Sequence, residues 1–505
     1  MKRAGLASAL AVFLFALPAS ALRLTIVHTN DIHGWIMARP SKRDHGRLEG
    51  GAAALASLYK KQRGPKLLVD AGDWFQGTPE GTVSKGQASV DVFNAMGYDL
   101  VEVGNHDFDL KEARLKQLVA RLKMPVLGAN VYERKTHRRV PYLTPWIIKK
   151  IHGVKIGFFG LLTTNMPRLT FPANIAGLEF RGEVAEARDD VAALKRLGAT
   201  VVILIDHVGF ASPGDAPFTS DQVIAREVPG IDMIIGGHSH TFLRRPYRDP
   251  VNGTMVVQAG AYLTVAGVAT LDIDGKTGKV LHKSDRLVNL DVQRLGQDPR
   301  IAALVAKEAR KVDAVYDVVI ATASQGLTRS QGRESSLGDW MTDCERRWDG
   351  ADLAIQNAGG IRADLPGGPV RLRDIFDIMP FDNSMVTLEM DGGLVSQLLD
   401  HGVDPTKGLV QESGASFDYR RDAPTGRRLS HVLIAGKPLD RHALYKVVTI
   451  DFLVKGGDGF TPFSRAEKTE SAALLLRDLL ASCARRQGLI VPPKEGRMRA
   501  QGAGE

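Results

Sequence analysis

Apolar and polar positions alternate along the chain in two long blocks, and the first block predicts sheets covered by helices. Short apolar runs typical of buried strands recur between stretches that place apolar residues at helical spacing. The predicted strands are 23–29, 66–70, 100–103, 155–160, 201–205 and 231–235, and the predicted helices include 89–96 and 184–197. This alternation favours an α/β domain, in which functional groups gather at the carboxyl ends of strands.

A second α/β block begins near residue 318, with predicted strands at 352–356, 385–390 and 445–450. Asp298 and Pro299 open a predicted helix between the blocks, because Asp is a good N-cap and Pro suits the first helical position. We therefore expect five segments. They are a leader at 1–21, a first domain at 22–290, a linker helix at 291–317, a second domain at 318–495 and a polar tail at 496–505.

The leader has the pattern of a secretory signal peptide. Lys2 and Arg3 precede an apolar run at 6–17, and small residues up to Ala21 offer a cleavage site. No cysteine follows that site and the C-terminal segment is polar, so we expect a periplasmic or secreted protein with no membrane anchor.

Net charge and cysteine content add little to this interpretation. The 66 basic and 57 acidic residues give +9, and removal of Lys2 and Arg3 leaves +7. A scattered basic surface explains this balance, and no basic patch predicts binding to a nucleic-acid polymer. Export permits a disulfide between Cys344 and Cys483, but two buried thiols fit the sequence equally well.

Polar side chains cluster directly after the predicted strands. Asp31 and His33 follow the first strand in H-T-N-D-I-H-G, and Asp73 follows the second in D-A-G-D. The later strands are followed by G-N-H-D-F-D, I-D-H and G-G-H-S-H, which contribute Asn105, His106, Asp107, Asp109, His207, His238 and His240. Seven other histidines, His401 among them, lie in no motif and receive no assignment.

This set of side chains suits two divalent cations. Two residues spaced i, i+2 on extended chain point to the same side, so Asp31 and His33 can hold one ion. Two cations roughly 3.5–4 Å apart would activate water and neutralise phosphate oxygens, with a carboxylate such as Asp73 between them. Mixed carboxylate, amide and imidazole ligands favour zinc, manganese, cobalt or iron over calcium.

The series D-x-H, G-D, G-N-H-D, H and G-H-x-H resembles the calcineurin-like metallophosphoesterases, and N-D-I-H-G narrows the resemblance to the 5′-nucleotidase family. The resemblance implies a four-layer αββα metallophosphoesterase domain, joined by a helix to an α/β substrate-specificity domain. It also implies that Asp31, His33, Asp73 and His240 hold one metal. Asp73, Asn105, His207 and His238 would hold the other. His106 would stabilise the transition state, Asp109 would orient His106, and Asp107 would be structural.

The second block carries motifs that resemble the nucleotide-binding domain of the same family. They are E-S-S-L-G-D, N-A-G-G-I-R, M-P-F-D-N and D-F-L-V-K-G-G-D-G-F. By this resemblance Phe381 and Phe452 would sandwich the base, Asp458 would bind ribose hydroxyls and Arg362 would bind phosphate. Asn357 and Asn383 would lie near the nucleoside. Ala358 and Asp382 depart from the usual glycines, and Gln331 stands where some members carry a phosphate-binding arginine.

We therefore expect a monomeric, exported phosphomonoesterase that hydrolyses nucleoside 5′-monophosphates, and UDP-sugars as a further class, through a metal-bound hydroxide. A 2′,3′-cyclic phosphodiesterase with 3′-nucleotidase activity needs the same metals and a similar base clamp, so it stays open. An inactive nucleotide-binding protein and a sulfur-compound hydrolase on the same scaffold are the remaining alternatives. The first would need a broken metal set, and the intact base-clamp motifs disfavour the second.

Overall fold

The structure is a computed structural model that describes residues 21–41, 46–210 and 219–501. The predicted signal peptide lies outside the described residues except for Ala21, which begins the first strand. Among the helices of the described ranges, none combines the length and the apolar character that a membrane crossing requires.

The first domain consists of two mixed sheets packed face to face. In spatial order, the first sheet contains Val280–Ser284, Val265–Asp274, Ala21–Thr29, Lys66–Asp70, Leu100–Glu102 and Val126–Leu127, with Leu287–Asn289 pairing beside Val265–Asp274. The second contains Tyr247–Arg248, Met255–Val257, Met233–Ile235, Val201–His207, Val154–Leu162 and Trp146–Ile151. Strands covered on both faces read as continuous apolar runs, which is why the sequence pattern identified them.

Three apolar cores separate four layers in this domain. Leu24, Ile26 and Phe158 belong to the core between the two sheets. Helices cover the outer faces, and the predicted four-layer αββα arrangement is confirmed. The longer helices of these layers are Ala52–Lys61, Gln87–Met96, Lys111–Val119, Glu183–Arg196 and Asp221–Glu227. Shorter elements are Arg39–Pro40, Leu48–Glu49, Pro79–Val83, Asn105–Phe108, Val131–Glu133, Arg138–Arg139, Met166–Leu169, Pro172–Asn174, Leu178–Phe180 and Val292–Leu295.

The predicted connecting helix is present as Pro299–Tyr316. The Asp298 side chain accepts the backbone N–H of Ile301 at 3.0 Å, so it caps the helix as the sequence indicated. Ile301 and Val305 are buried in the outer core of the first domain. The N-terminal half of the helix therefore packs on the first domain and is not a solvent-exposed linker.

The second domain is built on a five-stranded sheet in the spatial order Gln411–Ser413, Leu353–Gln356, Leu444–Ile450, Ser384–Asp391, Lys468–Leu475. Two smaller sheets flank it, made of Lys437–Pro438, Leu429–Ile434, Ala415–Tyr419 and Met498–Ala500, and of Gly368–Arg371, Val319–Ala323 and Leu489–Ile490. Its helical segments are Ser336–Asp349, Ala358–Gly360, Leu372–Ile378, Gly392–Gly402, Asp451–Val454, Gly457–Gly459, Thr461–Arg465 and Leu476–Gln487.

Two features of this domain go beyond the sequence analysis. Cys344 and Cys483 form a disulfide, which decides between the two alternatives left open for them. The polar tail predicted from residue 496 needs correction, because Met498–Ala500 pairs in parallel with Phe417–Tyr419 and the side chain of Met498 is buried. The carboxylate of Glu334 fixes this segment by accepting the backbone N–H groups of Gly496, Arg497 and Met498.

Candidate metal and substrate site between the two domains

The predicted metal-binding side chains meet at one edge of the first domain, where strands of both its sheets end. Asp31, Asp73 and His207 are fully or almost fully buried, and His238 and His240 are partly exposed toward the second domain. The adjoining strands are Ala21–Thr29, Lys66–Asp70, Leu100–Glu102, Val201–His207 and Met233–Ile235. All seven side chains predicted as metal ligands thus lie in one cluster.

Left-handed backbone conformations turn these side chains toward one another. Non-glycine residues rarely have a positive φ, and such residues concentrate at functional sites. Asp31, His33, Asp73, His238 and His240 all have one, between 50° and 73°. The neighbouring loops also approach closely, since a Cβ on Gly104 would lie 2.2 Å from Asp73 Oδ1.

Asp31, His33 and His240 form the first group that could hold a cation. The Nε2 atom of His240 lies 3.3 Å from Asp31 Oδ1 and 3.1 Å from the Nε2 atom of His33. Two ring nitrogens and a carboxylate oxygen therefore face the same small space. This donor set fits a transition-metal ion of the kind that the sequence predicted.

Asp31, Asp73 and His207 form the second group. Asp73 Oδ2 lies 3.2 Å from His207 Nε2 and 3.6 Å from His33 Nε2, so Asp73 stands between the two groups as a bridging carboxylate must. Asn105 Oδ1 completes the surroundings, at 3.2 Å from His207 Nε2 and 2.9 Å from His238 Nδ1. Asp31 belongs to both groups, whereas the family resemblance placed it only in the first.

His106 and Asp109 form a hydrogen-bonded pair beside the second group. The Nδ1 atom of His106 lies 2.7 Å from Asp109 Oδ2, and the backbone N–H of His106 donates to Asp73 Oδ1 at 2.8 Å. The His106 ring also stacks near Phe381 of the second domain, with ring centroids 5.4 Å apart. The pair is therefore placed between the metal cluster and the predicted base clamp.

The second domain brings its predicted substrate residues to the same cleft. Arg362 Nη2 lies 3.2 Å from His33 Nε2, and Asn357 Nδ2 donates to Asp458 Oδ2 at 2.6 Å. Phe381 and Phe452 are only partly buried and line the cleft, so they do not belong to the interior of the core. The cleft has a volume of about 400 Å³, within the usual range for small-ligand sites. Its walls include Asp73, Asn105, His106, Asp109, His238, His240, Asn357, Arg362, Phe381, Asn383, Phe452 and Asp458.

Comparison with known proteins decides the family. The profile described as calcineurin-like phosphoesterase matches residues 24–242, and the profile described as 5′-nucleotidase, C-terminal domain matches residues 319–465. The chain belongs to the 5′-nucleotidase family. It is a hydrolase that acts on phosphoric ester bonds, and its family uses divalent metal ions.

Two curated relatives and two solved structures match this chain over most of its length. Protein UshA of Yersinia enterocolitica is 29% identical over 512 residues, which cover 90% of both chains, and the 5′-nucleotidase of Bos taurus is 28% identical over 86% of this chain and 84% of its own. The crystal structure of a 5′-nucleotidase precursor from Thermus thermophilus superimposes with a TM-score of 0.88 at 26% identity, covering 96% of this chain and 100% of that one. The sulfate thiohydrolase SoxB of the same organism shares the fold, with a TM-score of 0.81 at 17% identity over 95% of this chain and 97% of its own.

Hydrogen bonds behind the cluster orient the predicted metal ligands of this 5′-nucleotidase family member. The Nδ1 atoms of His33 and His207 lie 2.8 Å and 2.7 Å from the carbonyl oxygens of Gln76 and Ala71. A carbonyl can only accept, so Nδ1 carries the proton and Nε2 is directed at the site. The carboxylate of Asp107 accepts the backbone N–H groups of Asp73, Trp74 and Gly104, which agrees with the structural role expected for it.

The electrostatics of the cluster favour bound positive charge. Burial opposes the ionisation of Asp31, but His240 and His207 lower its pKa to about 2. Burial likewise opposes the ionisation of Asp73, yet His207 and His106 hold its pKa well below the usual range. Burial lowers the pKa of His207, but Asp73 and Asp31 outweigh burial and raise it to about 10. The carboxylates are therefore ionised at neutral pH, and the negative charge that holds a proton on His207 would attract a metal ion in place of that proton.

Three residues of the site were missed by sequence reasoning. Gln76 donates from Nε2 to the Pro380 carbonyl at 2.9 Å, and Tyr262 packs against His240 with ring centroids 5.4 Å apart. Phe171 lines the cleft from the first domain. None of the three lies in a recognised motif, so no sequence signal distinguished them from ordinary polar or core residues.

Proposed function

We propose that the protein is a metal-dependent 5′-nucleotidase that hydrolyses nucleoside 5′-monophosphates to nucleoside and phosphate. The observation that carries this proposal is the shared cleft. Both Asp/His groups open on one side of it, and Phe381, Phe452 and Asp458 line the other side. A phosphate ester at the cluster would thus have space for its nucleoside within the same cavity.

Two metal ions would be held by the predicted ligands, with Asp31, His33, Asp73 and His240 around one and Asp73, Asn105, His207 and His238 around the other. When bound, such ions neutralise phosphate oxygens and lower the pKa of a water molecule. Elemental analysis of the purified protein should find two metal ions per chain. A lower content in Asp73→Ala would support the bridging position of this carboxylate.

The chain's own residues then bind and orient the substrate. The Arg362 guanidinium donates charge-assisted hydrogen bonds to phosphate oxygens. Asp109 fixes the His106 ring through Nδ1, so that Nε2 can donate to the charge that develops on the phosphate. Phe381 and Phe452 stack on the base, because every base presents a π face, and Asp458 accepts from ribose hydroxyls. Asn357 and Asn383 complete the nucleoside side of the cleft.

The first test is phosphate release from AMP by purified protein supplied with Mn²⁺, Zn²⁺ or Co²⁺. Asp73→Ala should abolish metal-dependent release. Asp189→Ala, which removes an exposed carboxylate from helix Glu183–Arg196, should leave it unchanged. Activity that survives Asp73→Ala would contradict the assigned site.

A substrate panel separates the remaining alternatives. Preference for 2′,3′-cyclic AMP and 3′-AMP over AMP would favour the cyclic phosphodiesterase, and turnover of UDP-glucose would extend the substrate class to UDP-sugars. The SoxB fold similarity gives a sulfur-compound hydrolase the same scaffold, but the base-clamp side chains on the cleft favour a nucleotide. Tight AMP binding without turnover under every metal would indicate a binding protein.

We also infer export to the periplasm or the medium. The leader pattern at residues 1–21 and the disulfide between Cys344 and Cys483 both suit an oxidising compartment. Mass spectrometry of the extracellular or periplasmic protein should find a chain that begins at Leu22. A cytoplasmic protein that retains Met1 would contradict this inference.

A further inference from the structure

The cleft has a wall of the first domain that the metal and base motifs do not explain. Three residues contribute to it: Leu169, which ends the short helix Met166–Leu169, and Thr170 and Phe171, which connect that helix to Pro172–Asn174. We call residues 166–174 the bridging segment, because its side chains contact both the His106–Asp109 pair and the second domain.

On one side, the bridging segment holds Asp109. The Thr170 hydroxyl donates to Asp109 Oδ1 at 3.2 Å, while Asp109 Oδ2 lies against His106 Nδ1. The Asn174 side-chain amide donates to the Asp109 carbonyl at 2.9 Å and to Thr170 Oγ1 at 3.2 Å. Thr170 is 4% exposed and Asn174 is 7% exposed, so water competes little with these bonds. Both carboxylate oxygens of Asp109 are thereby fixed.

On the other side, the bridging segment contacts the predicted base clamp. The Phe171 ring lies edge-to-face with Phe452, with centroids 6.2 Å apart and planes at 82°. The Lys455 ammonium stands 4.4 Å from the centroid of Phe171. Both geometries are attractive for an aromatic ring. Phe171 thus links the first domain to the short helix Asp451–Val454, which carries one half of the clamp.

We propose that the bridging segment couples nucleoside binding to the placement of His106. Phe171 is a specificity-determining residue, because a base stacked on Phe452 presses this ring against Phe171. Thr170 and Asn174 are positioning residues. When the Phe171 ring is held in place, their hydrogen bonds fix Asp109 and, through Asp109, the His106 ring. This inference rests on the proposed nucleotidase function. It adds Phe171, Thr170 and Asn174 to the residues assigned to that function.

The test of Phe171 compares AMP with p-nitrophenyl phosphate, which has a phosphate ester but neither base nor ribose. Phe171→Ala should lower kcat/KM for AMP about five- to tenfold, since it removes an aromatic pair and a cation–π contact. The value for p-nitrophenyl phosphate should stay within about twofold, because no base is present to use the contact. Phe171→Tyr retains the ring and should restore AMP turnover. Equal losses on both substrates, or no loss on AMP, would overturn the assignment of Phe171.

The test of Thr170 uses kcat and KM separately. Thr170→Val keeps the side-chain shape but removes the hydroxyl, and it should lower kcat on both substrates about tenfold with KM nearly unchanged, because His106 is then misplaced. Thr170→Ser retains the hydroxyl and should recover most of kcat. Unchanged kcat in Thr170→Val, or a loss that Thr170→Ser does not recover, would overturn the positioning role. Thermal unfolding of each variant shows whether it is folded.

The same two substrates distinguish failure of the proposed nucleotidase function from failure of this inference. A wild-type protein that cleaves p-nitrophenyl phosphate but not nucleotides would disprove nucleotidase activity and, with it, the role of Phe171. The role of Thr170 would still be decided by kcat on p-nitrophenyl phosphate.

Discussion

At the scale of single residues, Asp458 shows how a neighbour without a motif can shape the candidate site. Asp458 has φ 49°, a conformation that non-glycine residues rarely adopt. The Nε2–H of His401 donates to its carbonyl oxygen at 3.0 Å, and the His401 ring packs edge-on against Phe460. Burial lowers the pKa of His401, so the ring is neutral at pH 7 and retains this donor. His401 therefore stabilises the loop conformation that directs the Asp458 carboxylate to Asn357.

This contact gives the first prediction. His401→Leu should raise KM for AMP about tenfold, because the carboxylate that we assign to the ribose hydroxyls loses its fixed position. Turnover of p-nitrophenyl phosphate should not change, since that substrate lacks ribose. His401→Gln retains a donor and should recover part of the affinity. Steady-state kinetics on both substrates provide the measurement, and an equal effect on both would contradict the ribose argument.

Residues of the site differ in how far the sequence predicted them. Asp31 and Asp73 follow buried strands and His207 ends one, all in motifs of fixed spacing, and parallel strands bring their carboxyl ends to one edge. His401 and Phe171 instead act through contacts set by tertiary packing, 57 residues away in sequence for the His401–Asp458 pair. A single sequence carries no local pattern for such contacts.

At the scale of elements, the disulfide joins two helices of the second domain that are 139 residues apart in sequence, Ser336–Asp349 and Leu476–Gln487. A cross-link over so long a loop restricts the unfolded chain strongly. The helices also bury Trp340 and Leu480 in the same core, so the link reinforces an interface that packing already forms.

The second prediction follows. Replacing both cysteines by alanine should lower the free energy of unfolding by about 2–5 kcal/mol, the usual range for removal of a native disulfide. The activity of the folded variant should stay near the wild-type value, because neither cysteine lines the cleft. Urea unfolding of the variant, with reduced wild-type protein as the matched comparison, measures the effect. If the variant, the reduced wild type and the disulfide-bonded wild type had the same free energy of unfolding, the disulfide would contribute nothing to stability.

The sequence predicted the helices and strands more completely than the way in which they pack together. The helix Pro299–Tyr316 was predicted from its N-cap, its proline and its apolar spacing. Its packing on Ala52–Lys61 depends on which face meets the first domain, and that is a tertiary property. The strand Met498–Ala500 was missed because three residues in a polar, basic segment show no strand pattern. It forms because its backbone can pair with the edge of Phe417–Tyr419 and because the Glu334 carboxylate accepts the backbone N–H of Met498.

At the scale of the whole molecule, a partly buried ion-pair network joins both domains and the connecting helix. Arg373 of the second domain contacts Glu80 of the first domain, and also Asp313 and Asp317 at the end of the helix at 2.8 Å and 2.6 Å. Arg39 of the first domain pairs with Asp377 of the second. These contacts hold the domains in the arrangement that forms the cleft. Because Glu80 and Arg373 lie 293 residues apart, the sequence could not indicate them as partners.

The third prediction concerns pH. Burial raises the pKa of Asp377 to about 6, although Arg39 opposes the shift. The folded protein then holds this proton more tightly than the unfolded chain, whose Asp pKa is about 3.9. Its contribution to the free energy of unfolding is thus fully present below about pH 4 and is lost as the pH rises through about 6, a change on the order of 3 kcal/mol. Asp377→Asn should flatten the stability curve over this interval in urea unfolding, and an unchanged slope would contradict the shift.

The fourth prediction tests what the network does for the arrangement of the domains. Arg373→Met removes one of two cations from Glu80 among the described residues; Glu80 is 2% exposed and keeps Arg39 at 3.9 Å. Leaving a buried charge without its partner costs about 3–5 kcal/mol, whereas replacing both partners by uncharged groups is often nearly neutral. Arg373→Met should therefore lower the unfolding free energy, and it should widen the average separation of the domains in small-angle X-ray scattering. The double variant Glu80→Gln with Arg373→Met should recover most of the stability. If the single variant kept both the stability and the scattering profile of the wild type, the ion pairs would not hold the domains, and packing at the cleft alone would account for their arrangement.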